Sequence, residues 1–263
     1  MFVLLLSTLS LKAQHETRDP WFDVDFSDTT LVESESFRLR MLNELYLNTV
    51  TDNLTQFDSL SIQSIDVLLD KAKVNMRVYE YVLEFMLTGY TNMGRTQVVE
   101  YLLNYPMLYE GEIAQEEGRR LDSIAEPYQM VKVGAEAPNV SGVTIDGRAY
   151  DLYESQATNT IIVFWSTDCD YCHVFLTQIL KHLDLKTEYE LVTFALADNE
   201  ADAKKSVKKM RLPGYHFYND LRWGSKAFLD YHVTATPTVF VLDENKTIVC
   251  KPYDWNELKN WLK

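Results

Sequence analysis

Apolar residues recur every three or four positions through most of the first half of the chain. Ile62, Ile65, Leu68, Leu69 and Ala72 fall on one helical face, then Val78, Val82, Phe85 and Met86, then Val98, Val99, Leu102 and Leu103. Leu31 to Val50 is rich in helix formers. Gly111 to Ala125 reads as a further, acidic helix that should end before Pro127. Asn92-Met93-Gly94 and Tyr105-Pro106 punctuate these segments. No strand-like alternation occurs before residue 130, so this half reads as a small all-helical domain of about four or five helices. Ahead of it, Trp21, Phe22 and Phe26 stand in an aromatic, acidic stretch, and their rings are expected to pack against the helices.

The pattern changes near Val133-Gly134-Ala135-Glu136-Ala137-Pro138. Val140 to Ile145 and Arg148 to Tyr153 flank Asp146-Gly147, a favoured two-residue turn, and so predict a hairpin. Thr160 to Trp165 is a continuous apolar run, the mark of a strand buried on both faces, and Leu191 to Leu196 is a second. Helices are expected from Asp170 to Leu183, near 199–211 and from Ser225 to Tyr231. Thr238 to Leu242 and Thr247 to Cys250 form a last hairpin about Asp243–Lys246, and Asp254 to Leu262 closes as an amphipathic helix. Strands alternating with helices make this half α/β.

Length and charge narrow the function. At 263 residues the chain has room for two domains. Its net charge of −14, from 39 acidic and 25 basic residues, argues against nucleic acid or anionic lipid as a partner. The one basic run, Lys204 to Arg211, has helical spacing and reads as a solvated face. Met1 to Gln14 is apolar but shorter than the roughly 20 residues that span a bilayer. It reads as a signal peptide cleaved before His15, which places the protein in the periplasm or cell envelope. The expected organisation is a signal peptide at 1–14, a helical domain at 15–132 and an α/β domain at 133–263.

The candidate chemistry lies in the second half. Cys169-Asp170-Tyr171-Cys172 follows a buried strand and opens a helix. Cys169 would sit at the first helical turn, where free N–H groups and the helix dipole favour a thiolate. Cys172, three residues on, lies on the same face and deeper. An exposed sulfur that attacks and a shielded one that resolves the mixed disulfide are the requirements of thiol–disulfide exchange. A second signal is Thr234-Ala235-Thr236-Pro237-Thr238, directly before an apolar strand, where proline is poorly suited to regular pairing. If the Thr236–Pro237 bond is cis, this backbone would lie beside the cysteines and Thr236 would offer main-chain hydrogen bonds to an extended substrate.

The run Phe164-Trp165-Ser-Thr-Asp-Cys169-Asp-Tyr-Cys172, followed by Val233-Thr-Ala-Thr-Pro237, resembles the thioredoxin superfamily. The lead-in Val133-Gly134…Ala137-Pro138, the hairpin and Asp243-Glu-Asn-Lys246 are similar to the TlpA/ResA branch of exported thiol–disulfide oxidoreductases. The likeness covers residues 133–263 and implies a thioredoxin-like fold, a central mixed sheet flanked by helices. It implies Cys169 as nucleophile, Cys172 as resolving thiol and Thr236 and Pro237 as substrate-binding. Trp165 joins them as the aromatic residue beneath the site. The dithiol would itself be the redox centre, with no cofactor or metal, and the partners would be protein thiols or disulfides and an electron donor or acceptor. Two positions depart from the family. Val163 stands where thioredoxin has a buried Asp, and Phe175 where the ResA-like group has a Glu, so the usual proton acceptor near the resolving thiol is missing.

Rival readings use the same residues. Cys169-Asp-Tyr-Cys172-His173 matches a haem-attachment spacing, but after a strand rather than on a helical module. Zinc would need Cys250 or a histidine to complete the ligand set. No loop of the peroxiredoxin kind precedes Cys169. A reading of another class is a binding module on a thioredoxin-like scaffold with a slow dithiol. Cys250 is expected to pack inside the last strand. His182, His216 and His232 are expected to be ordinary surface or half-buried residues. Asp168 and Asp170 flank Cys169 and disfavour its thiolate, which lowers the reduction potential and points towards a reductant.

Overall fold

A computed structural model describes residues 19–47, 54–105, 115–182 and 189–262; the expected signal peptide lies outside them. The first described half is helical. Ser34 starts α1 (Glu35–Leu42), its Oγ accepting the Phe37 N–H at 3.2 Å. The helix expected from Leu31 therefore begins only at Glu35, after a 3-10 turn over Thr29–Glu33, and passes into a π turn over Asn43–Leu47. Next come α2 (Leu54–Ala72), α3 (Met76–Asn92), α4 (Thr96–Leu103) and α5 (Gln115–Gln129).

Two expectations for this half are corrected. α5 continues through Pro127. Proline in a helix interior removes one ladder bond, and here the end is held from the side: Ala125 and Tyr128 are buried, and the Tyr128 hydroxyl lies 3.0 Å from Thr88 Oγ1. Trp21 and Phe26 pack edge-on with Phe37, at centroid separations of 5.9–6.3 Å, but Phe22 is 58% exposed. A tight turn, Phe22 N–H to Asp19 C=O at 3.3 Å, sends neighbouring rings to opposite sides.

In the second half β1 (Ser141–Val143) and β2 (Ala149–Asp151) form a hairpin where one was expected, but its turn is not the two-residue Asp146-Gly147. Val143 pairs with Ala149 and the Thr144 N–H donates to the Arg148 carbonyl at 2.9 Å, so the loop is longer, with Gly147 at φ 86°. The main sheet has β3 (Asn159–Ser166), β4 (Tyr189–Leu196), β5 (Tyr215–Tyr218), β6 (Thr238–Leu242) and β7 (Ile248–Cys250) in the order β5-β4-β3-β6-β7. The pairs β3–β4 and β4–β5 are parallel, and β6 and β7 are antiparallel to their neighbours, so the sheet is mixed. The helices are α6 (Asp170–His182), α7 (Glu200–Met210), α8 (Lys226–Asp230) and α9 (Trp255–Trp261). The edge strand β5 was not foreseen; four residues are too few for periodicity to declare themselves.

The apolar run of β3 follows from cover on both faces. Ile161, Val163 and Trp165 meet Cys172, Phe175 and Ile179 of α6 and Leu258 of α9. Ile162 and Phe164 face Phe194, Phe228, Tyr231 and Phe240. Phe164 stacks on Phe194 at 4.8 Å and meets Phe228 edge-on at 5.0 Å.

The two halves touch beside β6 and β7. Gly94, at φ 64°, leaves no room for a side chain: an added Cβ would lie 2.2 Å from Tyr253 Cβ. Arg95 pairs bidentately with Asp58 at 2.8–2.9 Å and reaches Glu257 at 3.7 Å. Tyr128 meets His232 edge-on at 4.3 Å.

Phe164→Ala should destabilise the fold by about 3–5 kcal/mol, because the ring is fully buried among other rings that cannot collapse into its place. Denaturant unfolding followed by circular dichroism measures this, and a loss under about 1 kcal/mol would show that β3 is not the centre of the core.

Candidate active site

The site is built where β3 hands over to α6. β3 ends at Ser166, and Cys169 is the residue before the first turn of α6. Its sulfur occupies the capping position: the Cys172 N–H points to Cys169 Sγ at 3.1 Å, and the His173 N–H donates to the Cys169 carbonyl at 3.2 Å. Cys169 and Cys172 form a disulfide, with Cα atoms 5.2 Å apart. Cys169 is half-buried and Cys172 has no exposed surface. Only the first sulfur is open to an incoming group.

Strand register supplies the second component. Thr238 of β6 lies opposite Phe164 of β3. The residues before β6 therefore run alongside those that follow β3. The Thr236–Pro237 bond is cis, and the Thr236 carbonyl oxygen lies 3.9 Å from Cys169 Sγ. Thr236 and Pro237 are partly exposed, so their backbone borders the open sulfur. Trp165 is brought to the same place but fully buried. It lies beneath the site and has no surface to present to a substrate. Its indole ring meets His173 edge-on at 5.7 Å.

Val163 and Phe175, the positions where the resemblance expects a carboxylate, are buried with Cys172 in one apolar cluster. His173 turns away from Cys172, its Nε2 lying 3.0 Å from the Thr167 carbonyl. Asp168 and Asp170 are exposed on either side of Cys169. Cys250 packs at the edge of the same cluster, where burial pushes its thiol up to about 11.

Two histidines and a lysine require comment. His216 is a buried, satisfied core residue, bonded to Thr193 Oγ1 at 2.9 Å and the Leu212 carbonyl at 3.1 Å, and not a surface group. His232 is half-buried against Tyr128, and burial holds it below the usual imidazole range. Lys251 was not singled out from sequence. It follows β7, its ammonium lies 5.2 Å from the centre of the Phe240 ring, and burial lowers it to about 8. A lone lysine at a strand end carries no pattern, so nothing in the sequence marked it.

Residues 147–251 match the family model of the thioredoxin-like domain. Over 121 residues the chain is 28% identical to thioredoxin-like protein YneN of Bacillus subtilis (strain 168), covering 45% of this chain and 69% of that one. The crystal structure of a thioredoxin-like protein from Bacteroides caccae ATCC 43185 superposes on 98% of this chain and 97% of its own, with a TM-score of 0.61 at 17% identity. That likeness is one of fold, and it includes the helical half. A thiol:disulfide interchange protein from Bacteroides sp. is 19% identical over 50% of this chain and 88% of its own, with a TM-score of 0.44. With its mixed five-stranded sheet, flanking helices and the match of residues 147–251 to the thioredoxin-like domain model, the second half of this chain has a thioredoxin-like fold.

Proposed function

We propose that this chain is a thiol–disulfide oxidoreductase that exchanges disulfides with protein substrates through Cys169 and Cys172. The observation that carries this reading is the asymmetry of the pair: a half-buried Cys169 sulfur bordered by the Thr236 carbonyl, and a Cys172 sulfur with no exposure. In the reducing direction the Cys169 thiolate attacks one sulfur of a substrate disulfide, forming the mixed disulfide and releasing the substrate's other sulfur as thiolate. Cys172, losing its proton to solvent, then attacks Cys169 Sγ. That step closes the intramolecular disulfide and expels the second substrate thiolate. Two electrons pass from the dithiol to the substrate, and the chain leaves in the oxidised form observed here.

The dithiol is its own redox centre on this reading, and a separate electron donor must regenerate it. An extended substrate segment would lie along Thr236 and Pro237. Exposed Asp168 and Asp170 beside Cys169 support work as a reductant, since they disfavour the thiolate and hence the reduced state. The apolar segment Met1 to Gln14 supports export to the cell envelope, and among the described residues no helix is long and apolar enough to cross a membrane.

Equilibration in glutathione or dithiothreitol buffers with thiol labelling tests the reading. A single reversible two-electron transition is expected, with a midpoint on the reducing side of glutathione. A pair that never equilibrates would leave a binding module on a thioredoxin-like scaffold. Cys169→Ser should abolish exchange, whereas Cys172→Ser should accumulate mixed disulfides visible on non-reducing gels. Full activity in both variants would sink the assignment.

Cys250 should stand outside this chemistry. With its thiol raised to about 11, its thiolate fraction at pH 8 is about 100-fold below that of an unshifted thiol, since each unit is a factor of ten. Its alkylation rate should climb about tenfold per pH unit between pH 8 and 10. Mass spectrometry of iodoacetamide-treated protein reads this, and a rate that levels off near pH 9 would contradict it.

A further inference from the structure

A crevice of about 90 Å³ runs between the helical half and the loop that carries Pro237. Val99 and Tyr128 wall it on one side, and Pro237 and Phe240 on the other. Its polar groups have unspent capacity: Thr91 Oγ1 and His232 Nε2 are buried and without a hydrogen-bond partner among the described residues. Such groups cost free energy when left unpaired, so their presence in an apolar crevice points to a ligand that completes them. Lys251 adds an ammonium held over Phe240. The lining also holds Arg95, already bound to Asp58, and Lys132, against one acid, Glu100. Asp58 and Glu257 already engage Arg95, and Glu100 lies near Lys251, which leaves the Lys251 ammonium, enclosed beside Phe240, as the cation offered to a ligand.

We propose that this crevice is a substrate subsite for an acidic side chain, Asp or Glu, standing two or three residues from the reacting cysteine of the substrate protein, and that Lys251, His232 and Thr91 bind its carboxylate. The proposal rests on the exchange reading above. All three groups can act as donors: the ammonium, the Thr91 hydroxyl and, in the Nε2–H tautomer, the neutral imidazole of His232. A carboxylate accepts several such bonds, and charge-assisted bonds are the strong ones. The crevice admits water-sized groups, so a carboxylate can enter it.

Position ties the crevice to the reacting sulfur. Thr236 borders Cys169, and its neighbours Ala235 and Pro237 both line the crevice, as does Thr234. Thr234 lies two residues from Thr236, at most about 7.6 Å away, and an extended substrate covers the same span in two or three residues. A substrate segment laid along this loop with its sulfur at Cys169 thus carries a nearby side chain to the crevice mouth. The helical half then becomes one wall of the substrate site.

The test uses the full chain in its oxidised form and four short peptides, each with one cysteine and differing only in Glu, Gln, Lys or Ala. The variable residue stands two positions from the cysteine in one set and three in another, on either side. Initial rates of reduction of the Cys169–Cys172 disulfide are divided by each peptide's rate with the uncharged disulfide of 2-mercaptoethanol, which removes the effect of the neighbour on the thiol itself. Dithiothreitol is run alongside. In at least one set the Glu peptide should react about tenfold faster than the Ala peptide, with Lys slowest, as one charge-assisted bond allows. Lys251→Met and Thr91→Val should each shrink the Glu-to-Ala ratio towards one. Equal normalised rates for all four peptides in wild-type protein overturn the subsite while leaving exchange standing, and so does a Glu preference that survives Lys251→Met unchanged. A disulfide that neither dithiothreitol nor any peptide reduces overturns the exchange reading, and the subsite with it.

Discussion

The antiparallel register of β6 on β3 decides where chemistry can occur in this chain. Phe164 and Thr238 are partners, so β3 ends and β6 begins at one edge of the sheet. Whatever follows β3 must lie beside whatever precedes β6. The first is the Cys169 turn and the second the Thr236–Pro237 loop. A slip of one residue would turn every β6 side chain to the opposite face and send Phe240 into the cluster that now holds Val239 and Val241, so the pairing is strongly specified. It is secured by rings on one side, Phe164 against Phe194, Phe228 and Phe240, and by α6 and α9 on the other. The Cys169 turn is thus held in place by an apolar core.

The same core sets the difference between the two sulfurs. α6 must bury Cys172, Phe175, Leu176 and Ile179 against β3, which tips its first turn so that Cys169 faces outward. Around Cys169 the electrostatic effects oppose each other. The helix terminus and the Cys172 N–H favour a thiolate by about 0.3–1 kcal/mol. Asp168 and Asp170 act against it, but both are exposed and therefore screened by water and salt. Around Cys172 the surroundings are apolar, with Val163 and Phe175 in the same cluster.

The sequence announced the fold because its strongest signals come from burial. A strand covered on both faces is apolar along its covered length, as β3 is from Ile161 to Trp165 and β4 from Leu191 to Leu196 but for Thr193, whose hydroxyl bonds His216. The helical periodicity of the first half was equally plain, and Asp146-Gly147 marked the place of a hairpin though not its longer loop. The juxtaposition of Cys169, Cys172, Thr236 and Pro237 could be anticipated once strand, turn and proline were read together, whereas the burial of Trp165 and His216 depends on what packs over them. β5 is too short to show a period. Pro127 argued for a helix end that side-chain packing overrides. Phe22 faces outward because of a turn fixed by main-chain hydrogen bonds rather than by composition. Lys251, Thr91 and His232 were illegible as a group: they are distant in sequence, and Thr91 comes to line one crevice with the other two only because the helical half packs against the α/β half.

That packing makes the helical half more than an appendage. Gly94 admits Tyr253 closely, Arg95 bridges to Glu257 across the boundary, and Tyr128 covers His232. Each contact lies next to the loop that borders Cys169, not at the far end of the sheet. Without this half, Phe240 and Lys251 would lie at a wetter surface, and an ammonium in water recognises a carboxylate weakly because its charge is screened. Enclosure raises the value of every polar contact in the crevice and penalises every one left unmade. A thioredoxin-like domain alone offers a reactive sulfur and a strip of backbone, which read main chain and not side chains. The wall supplied by the helices allows the identity of a neighbouring side chain to influence which disulfide is exchanged.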